Sequence, residues 1–248
     1  MDRLARKIAV LGLMLAMTGV GALALADTKE KDIAKANELL MKSRQSFNDL
    51  VKEEHPDKSI PRDLLVKAKA IAVFPKVINA AIGFGGRHGK GVVTVRGADG
   101  KWSPPALFDI TGGSWGFQIG AQSTELVLFF MTDGSVKSLV ESKFTLGGKA
   151  GLAAGPMGRS AEAATDLQFN AEIYSYAKSK GLFAGISLEG AKMSADEGNN
   201  IHFYGAPVTT EDILFNGKVS KVPESARSFM GALPEVMGLV EQSQEPRK

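Results

Sequence analysis

Between Ile71 and Gly190 the chain is written in short runs whose apolar residues recur at every second position, with glycine-rich breaks between them. That period sends one side of each run to a core and leaves the other outside, so it specifies strands and not helices. Ile71–Phe74 and Leu126–Met131 are apolar on both sides, as buried strands are. Val92–Arg96 and a partner from Trp102 to Ile110 flank Ala98-Asp99-Gly100-Lys101, a hairpin turn of the Asp-Gly type. Pro104 and Pro105 place the start of the second strand on an edge. Ser114–Gln122 alternates strictly, with Phe117, Ile119 and Ala121 opposite a nearly bare side of Gly116, Gln118, Gly120 and Gln122. Leu167–Ala177 and Leu182–Gly190 repeat the pattern, and the 28 glycines, many of them inside these runs, favour bends and close backbone contacts.

Helical patterning brackets the strands. Asp27–Glu54 opens on a capping-box-like Asp27-Thr28-Lys29-Glu30 and carries Ile33, Ala36, Leu40, Phe47, Leu50 and Val51 at three- and four-residue steps. Pro61 is placed to open a short helix to Lys69, Val136–Ser142 suits another, and two more fit Thr210–Phe215 and the segment from Pro223. No internal repeat or long linker divides the chain. The expectation is one α+β domain over 27–248, a strongly curved, largely antiparallel, barrel-like sheet flanked by N- and C-terminal helices.

Met1–Lys7 is basic, Ile8–Leu25 is free of charge, and Ala24-Leu25-Ala26 has the small-x-small form of a signal-peptidase site. Residues 1–26 are therefore expected to be a signal peptide cleaved after Ala26, giving an exported protein peripheral on a membrane, with periplasm as its compartment. The alternative is a retained anchor, since about 18 apolar residues just span a bilayer. The formal charge of +3 rests on Arg3, Arg6 and Lys7; without them and Asp2, 27 cations face 26 carboxylates. That balance argues against nucleic acid, whose phosphates call for a basic excess. With no cysteine, and histidines only at 55, 88 and 202, neither a metal nor another cofactor is expected.

Three motifs invite chemistry. Gly112-Gly113-Ser114-Trp115-Gly116 fits G-x-S-x-G, the nucleophile elbow of serine hydrolases, with Asp166 or Asp196 and then His202 as downstream acid and base. The elbow needs a helix directly after the serine, and the residues that follow alternate as a strand. Gly85-Gly86-Arg87-His88-Gly89-Lys90-Gly91 lacks the Walker spacing, yet its amides with Arg87 and Lys90 suit a single phosphate; the plainer reading is a hairpin with a basic tip. Asp196, Glu197 and Asn199 miss the calcium-loop pattern and read as a helix cap. Trp102 and Trp115, with Phe84 and Phe183, suit a lipid interface or, more plainly, a core.

The ordered blocks Gly91-Val-Val-Thr-Val-Arg96, Trp102-Ser-Pro-Pro-Ala-Leu-Phe108, Thr111–Gln122, Glu125–Leu128, Ser142–Gly147, Ala154–Arg159, Ala177–Gly190 and Phe203-Tyr-Gly205 resemble the SYLF domain family. The likeness runs from about Ala36 to Gly205 and suggests a bacterial-type exported member. Eukaryotic SYLF proteins bind phosphoinositide membranes, some bind actin, and an amphipathic N-terminal helix is implicated in the lipid contact. The resemblance thus implies a lipid-binding module without catalysis, and makes Ser114 part of a structural glycine-rich strand.

The function expected is non-catalytic binding of anionic phospholipid in the cell envelope. Its contacts would be Lys29, Lys31, Lys35, Lys42 and Arg44 on the first helix, Arg87 and Lys90 in the glycine loop, and Trp102 and Trp115. The alternatives are a serine esterase at Ser114 and an envelope structural protein offering its bare sheet face to a protein partner.

Overall fold

In the computed structural model the alternating runs become the strands of one curled, half-barrel sheet with helices at both ends of the sequence, a single α+β domain. The structure describes residues 2–51, 60–82, 84–115, 120–141, 144–148, 151–155, 171–179, 182–184 and 188–234; side chains at 2–26, 81–84, 114–121 and 182–184 are not described. The helices are α1 (Asp2–Val51), α2 (Arg62–Lys67), α3 (Asp133–Lys137, continued by a 3-10 turn over Ser138–Val140), α4 (Glu197–Tyr204), α5 (Thr210–Leu214) and α6 (Glu224–Met230). The strands are β1 (Ala70–Ile82), β2 (Phe84–Val95), β3 (Ala106–Trp115), β4 (Gly120–Phe130), β5 (Phe144–Thr145), β6 (Leu152–Ala154), β7 (Ile173–Ser179), β8 (Leu182–Ala184) and β9 (Lys192–Ala195). Their order is β5-β9-β3-β2-β1-β4-β7-β6, with β8 beside β7. Among the described strands every pairing is antiparallel except β6 with β7.

The centre follows from composition. Ala70–Phe74 and Leu126–Phe130, the runs apolar on both sides, lie in neighbouring strands and are buried throughout. β1 extends well past the expected strand because Pro75 is accommodated at a bulge, where its missing N–H costs no regular ladder bond. The bulge changes facing. Val73 pairs with Val92 and Lys76 with Lys90, so Val73 and Lys76 share a face although they are three residues apart.

The glycine-rich run at 85–91 is strand β2 and not a loop. A Cβ on Gly91 would lie 2.5 Å from the Val73 carbonyl oxygen and closer still to the Phe74 ring, and one on Gly89 would lie 2.8 Å from the Lys76 carbonyl oxygen. Both glycines therefore let β2 pass under the bulge. The expected single strand at Ser114–Gln122 is instead the end of β3 and the start of β4, which sit on opposite sides of the β1–β2 hairpin. Two successive segments that share one alternation look continuous in sequence; residues 116–119 themselves lie outside the described residues. The Asp-Gly turn is as expected, with Gly100 at φ 79°.

The first helix buries Ala36, Leu40, Phe47 and Leu50, most of the stripe read from the sequence. It lies across β1, β2 and β4 and is flanked by α4 and α6. Asp196 caps α4 by accepting from the Asn199 amide at 3.3 Å, as its position suggested.

Candidate lipid-facing surface

A helix whose apolar stripe is sunk in the core shows mainly its charged side to the outside. On that side Lys31 pairs with Asp27 at 2.6 Å, Lys35 with Asp32 at 3.4 Å and Lys42 with Glu38 at 2.5 Å, all within the helix. Lys29 and Arg44 have no ion pair among the described residues. Exposed i,i+3 and i,i+4 pairs contribute only a few tenths of a kcal/mol and are screened by salt, so these lysines exchange partners readily. Glu38 lies below the ordinary carboxylate range because the Lys42 ammonium hydrogen-bonds it.

The two cations expected in the glycine loop are separated by the strand geometry. Arg87 and Lys90 are an odd number of residues apart in β2 and project to opposite faces. Arg87 donates from Nε to Asn79 Oδ1 at 2.8 Å, directly across the β1–β2 ladder, and burial lowers its pKa. Lys90 sits between Asp196 at 2.7 Å and Asp109 at 3.2 Å. Burial alone would lower the pKa of Lys90, but its hydrogen bonds to Asp196 and Asp109 outweigh this and raise it. Burial likewise pushes Asp196 up, and the Lys90 contact brings it below the usual range. Lys90 is thus held in ion pairs, Arg87 is engaged through Nε, and the residues read as a loop form strand β2.

Trp102 is a core residue and not an interfacial one. It is 6% exposed, donates from Nε1 to the Pro234 carbonyl at 3.0 Å and lies under the Arg96 guanidinium, 4.3 Å from its ring centre. Arg96 in turn donates to the Leu65 and Val66 carbonyls in the last turn of α2 and to Pro234, which ties three segments together. Burial brings the Arg96 pKa down to about 10, so it stays protonated at neutral pH. These residues line a groove of about 1040 Å³, where Lys69 pairs with Asp133 at 2.8 Å and Lys67 with Asp63 at 3.7 Å. The side chain of Trp115 lies outside the described residues.

The described acid and base candidates of the hydrolase reading are engaged in other contacts. Ser114 belongs to β3 and pairs with Gly85, within a strand that runs to Trp115, while residues 116–119, where an elbow's helix would begin, lie outside the described residues. His202 Nδ1 lies 3.2 Å from Asp32 Oδ2 and Asp196 is engaged by Lys90, while Asp166 lies outside the described residues. Among the described residues no three side chains are grouped to hold a metal.

What the structure does bring together is a cleft of about 460 Å³ between α1 and the sheet. Lys42, Gln45 and Asp49 line it from the helix, Lys76 from β1, Ser123 and Glu125 from β4, and Lys178 from β7. Beside it stand two of the exposed large apolar side chains of the described surface. Ile78, 43% exposed, is two residues from Lys76 on β1, and Met41, 61% exposed, is one helical turn from Gln45. Lys76 and Lys178 escaped the sequence reading because each sits inside a strand pattern. The available signal was Pro75, whose bulge turns Lys76 toward the helix.

Residues 111–236 match the family described as Ysc84, Las17-binding protein actin regulator. The chain belongs to that family. It is the group to which the SYLF resemblance pointed, and its description is that of a binding and regulatory protein. The chain is 38% identical over 185 residues to SH3 domain-containing YSC84-like protein 1 of Rattus norvegicus, covering 74% of this chain and 53% of the relative. It is 39% identical over 170 residues to LAS seventeen-binding protein 3 of Saccharomyces cerevisiae, covering 67% and 37%. With SH3 domain-containing YSC84-like protein 1 of Xenopus laevis the figures are 34% over 208 residues, 82% and 62%. The chain spans about half the length of the relatives it matches.

Proposed function

We propose that this Ysc84-family protein binds anionic phospholipid surfaces peripherally and without catalysis, through the side where the C-terminal half of α1 meets β1, β4 and β7. The supporting observation is the convergence of Lys42, Lys76 and Lys178 from three elements on one cleft, bordered by the exposed Met41 and Ile78. Cations beside exposed apolar side chains suit the head-group boundary, where charge meets phosphate and apolar groups reach the first carbons of the chains. Each basic side chain near such a surface contributes about 1 kcal/mol, so three to five hold the protein reversibly. Arg44, Lys35, Lys31 and Lys29 extend the contact along the outer side of α1, which remains docked. In this reading the leader directs export, cleavage after Ala26 leaves Asp27 as the first residue, and the protein acts in the periplasm on a membrane face. Flotation with phosphatidylglycerol and phosphatidylcholine vesicles at low and high salt tests it: binding to the first at low salt only is expected, and binding to neither would end the proposal.

A protein partner is the second reading, in keeping with the Las17-binding and actin-regulator description of the family. The observation favouring it is the outer part of the sheet, where Gly86 pairs with Gly113 and open space lies over both. Crosslinking in intact cells with a photoreactive residue at Gly113 would trap such a partner, and an uncrosslinked monomer would refute it.

A further inference from the structure

The groove of about 1040 Å³ beside the β2–β3 turn shares no lining residue with the cleft at α1. Its apolar wall comes from separate elements: Val66 from α2, Ala98 and Trp102 from the β2–β3 connection and Met230 from α6. Its charges do not balance. Lys67 and Lys69 are answered by Asp63 and Asp133, but Arg96 and Lys101 have no carboxylate partner among the described residues. These two cations stand at the ends of one tight turn, closed by the Gly97 N–H donating to the Lys101 carbonyl at 2.8 Å. Asp99, the other acid of the lining, accepts from the Lys101 backbone N–H at 3.1 Å and makes no ion pair among the described residues. Arg96 is half-buried, and its partners are carbonyls and the Trp102 ring, all of them neutral. Burial, with no opposing charge, is what lowers its pKa. A guanidinium taken out of water and left without a counter-charge makes the groove a place where a negative charge is stabilised.

We propose that this groove binds a small apolar carboxylate, with the acid group at Lys101 and the apolar body against Val66, Ala98 and Met230. The Arg96 Nη atoms are taken up by the Leu65, Val66 and Pro234 carbonyls and its Nε is buried without a partner, so the guanidinium acts at a distance. Lys101 is then the unmatched ammonium that meets the ligand directly. A phosphate monoester carries about −1.5 to −2 at neutral pH and is held by several donors, more than one ammonium supplies. A carboxylate carries a single charge. The volume stands at the upper end of small-molecule sites, about 300–1,000 Å³, and so leaves room for a sizeable apolar body. Such a ligand would bridge α2, the turn and α6, tying the C-terminal helix to the sheet. Binding there is independent of the membrane reading, whose surface lies on α1, β1, β4 and β7.

The test uses the full chain, titrated with octanoate, decanoate, octyl glucoside and octyl phosphate below their micellar concentrations while backbone amide shifts are followed. Decanoate should give saturable shifts at Gly97, Ala98, Lys101 and Gly231. It should bind about tenfold more tightly than octanoate, since each buried methylene contributes about fourfold. Octyl glucoside, with an apolar chain and no charge, should bind about tenfold more weakly than octanoate or worse. Ala98→Glu, at an exposed turn position, sets a carboxylate in the groove and should abolish decanoate binding. Lys101→Gln should weaken it about fivefold or more. Unchanged Tm is the check on folding, and if Ala98→Glu melts low, Lys101→Gln alone decides. Both variants should float on phosphatidylglycerol vesicles as the wild type does. No saturable shifts with decanoate, or equal affinity for octanoate and octyl glucoside, would overturn the proposal whether or not the protein floats. Tighter binding of octyl phosphate than of octanoate would overturn it too. So would loss of flotation in a folded Ala98→Glu, which would make the groove part of the membrane surface instead.

Discussion

Replacing Gly91 by Ala tests whether the glycine-rich run is a strand threaded under a bulge or a loop made to hold phosphate. A methyl at Gly91 would meet the Val73 carbonyl oxygen at 2.5 Å and the Phe74 ring nearer still, and neither neighbour is a flexible side-chain end. Both neighbours are buried in the sheet, so relief requires moving backbone or an aromatic ring packed on all sides. Overpacking of this kind costs about 2–3 kcal/mol. In a domain of this size each kcal/mol lowers Tm by about 2–4 °C, so the variant should melt about 5–10 °C below the wild type. Gly86→Ala, five positions away in the same run, meets nothing within 4 Å and serves as the control. It should be neutral or more stable by about 0.5 kcal/mol, because alanine restricts the unfolded chain. Urea denaturation of the three proteins, read as midpoint at constant m-value, measures both differences. Equal midpoints for Gly91→Ala and wild type would refute the strand reasoning, as would a loss at Gly86→Ala as large as at Gly91→Ala.

Other expectations follow from the ion pairs and the core. Asp196→Asn retains the α4 cap but loses the pair with Lys90; since Asp196 is depressed in the folded state, its contribution is present above about pH 4 and lost as pH falls, and acid denaturation should be shallower in the variant than in wild type. Trp102→Phe deletes the hydrogen bond to the Pro234 carbonyl and should cost about 1 kcal/mol by thermal melting, with vesicle binding unchanged; reduced flotation would restore Trp102 to the lipid surface. Ser114→Ala should leave hydrolysis of a chromogenic ester at background, and a drop from a measurable wild-type rate would revive the hydrolase.

The sequence carried the fold class because the information needed is local. The unbroken apolar run Leu126–Met131, the Asp-Gly turn at 99–100 and the stripe Ala36-Leu40-Phe47-Leu50 each specify an element without reference to distant residues. What it did not carry depends on partners far along the chain. Lys90 looked free until Asp196, over a hundred positions away, closed on it, and Trp102 looked interfacial until Pro234 and Arg96 enclosed it. The cleft was hidden for a third reason. Pro75 shifts the alternation by one, so that Lys76 faces the helix where regular pleating would have turned it away.

Hydrogen–deuterium exchange across α1, with and without phosphatidylglycerol vesicles, bears most directly on how the protein meets a membrane. The docked helix predicts that amides from Ala36 to Leu50 stay equally protected on the vesicle and that raised salt releases the protein. A collapse of protection on those amides when vesicles are added, with binding indifferent to salt, would mean that α1 leaves the sheet and inserts its apolar stripe, contrary to this account.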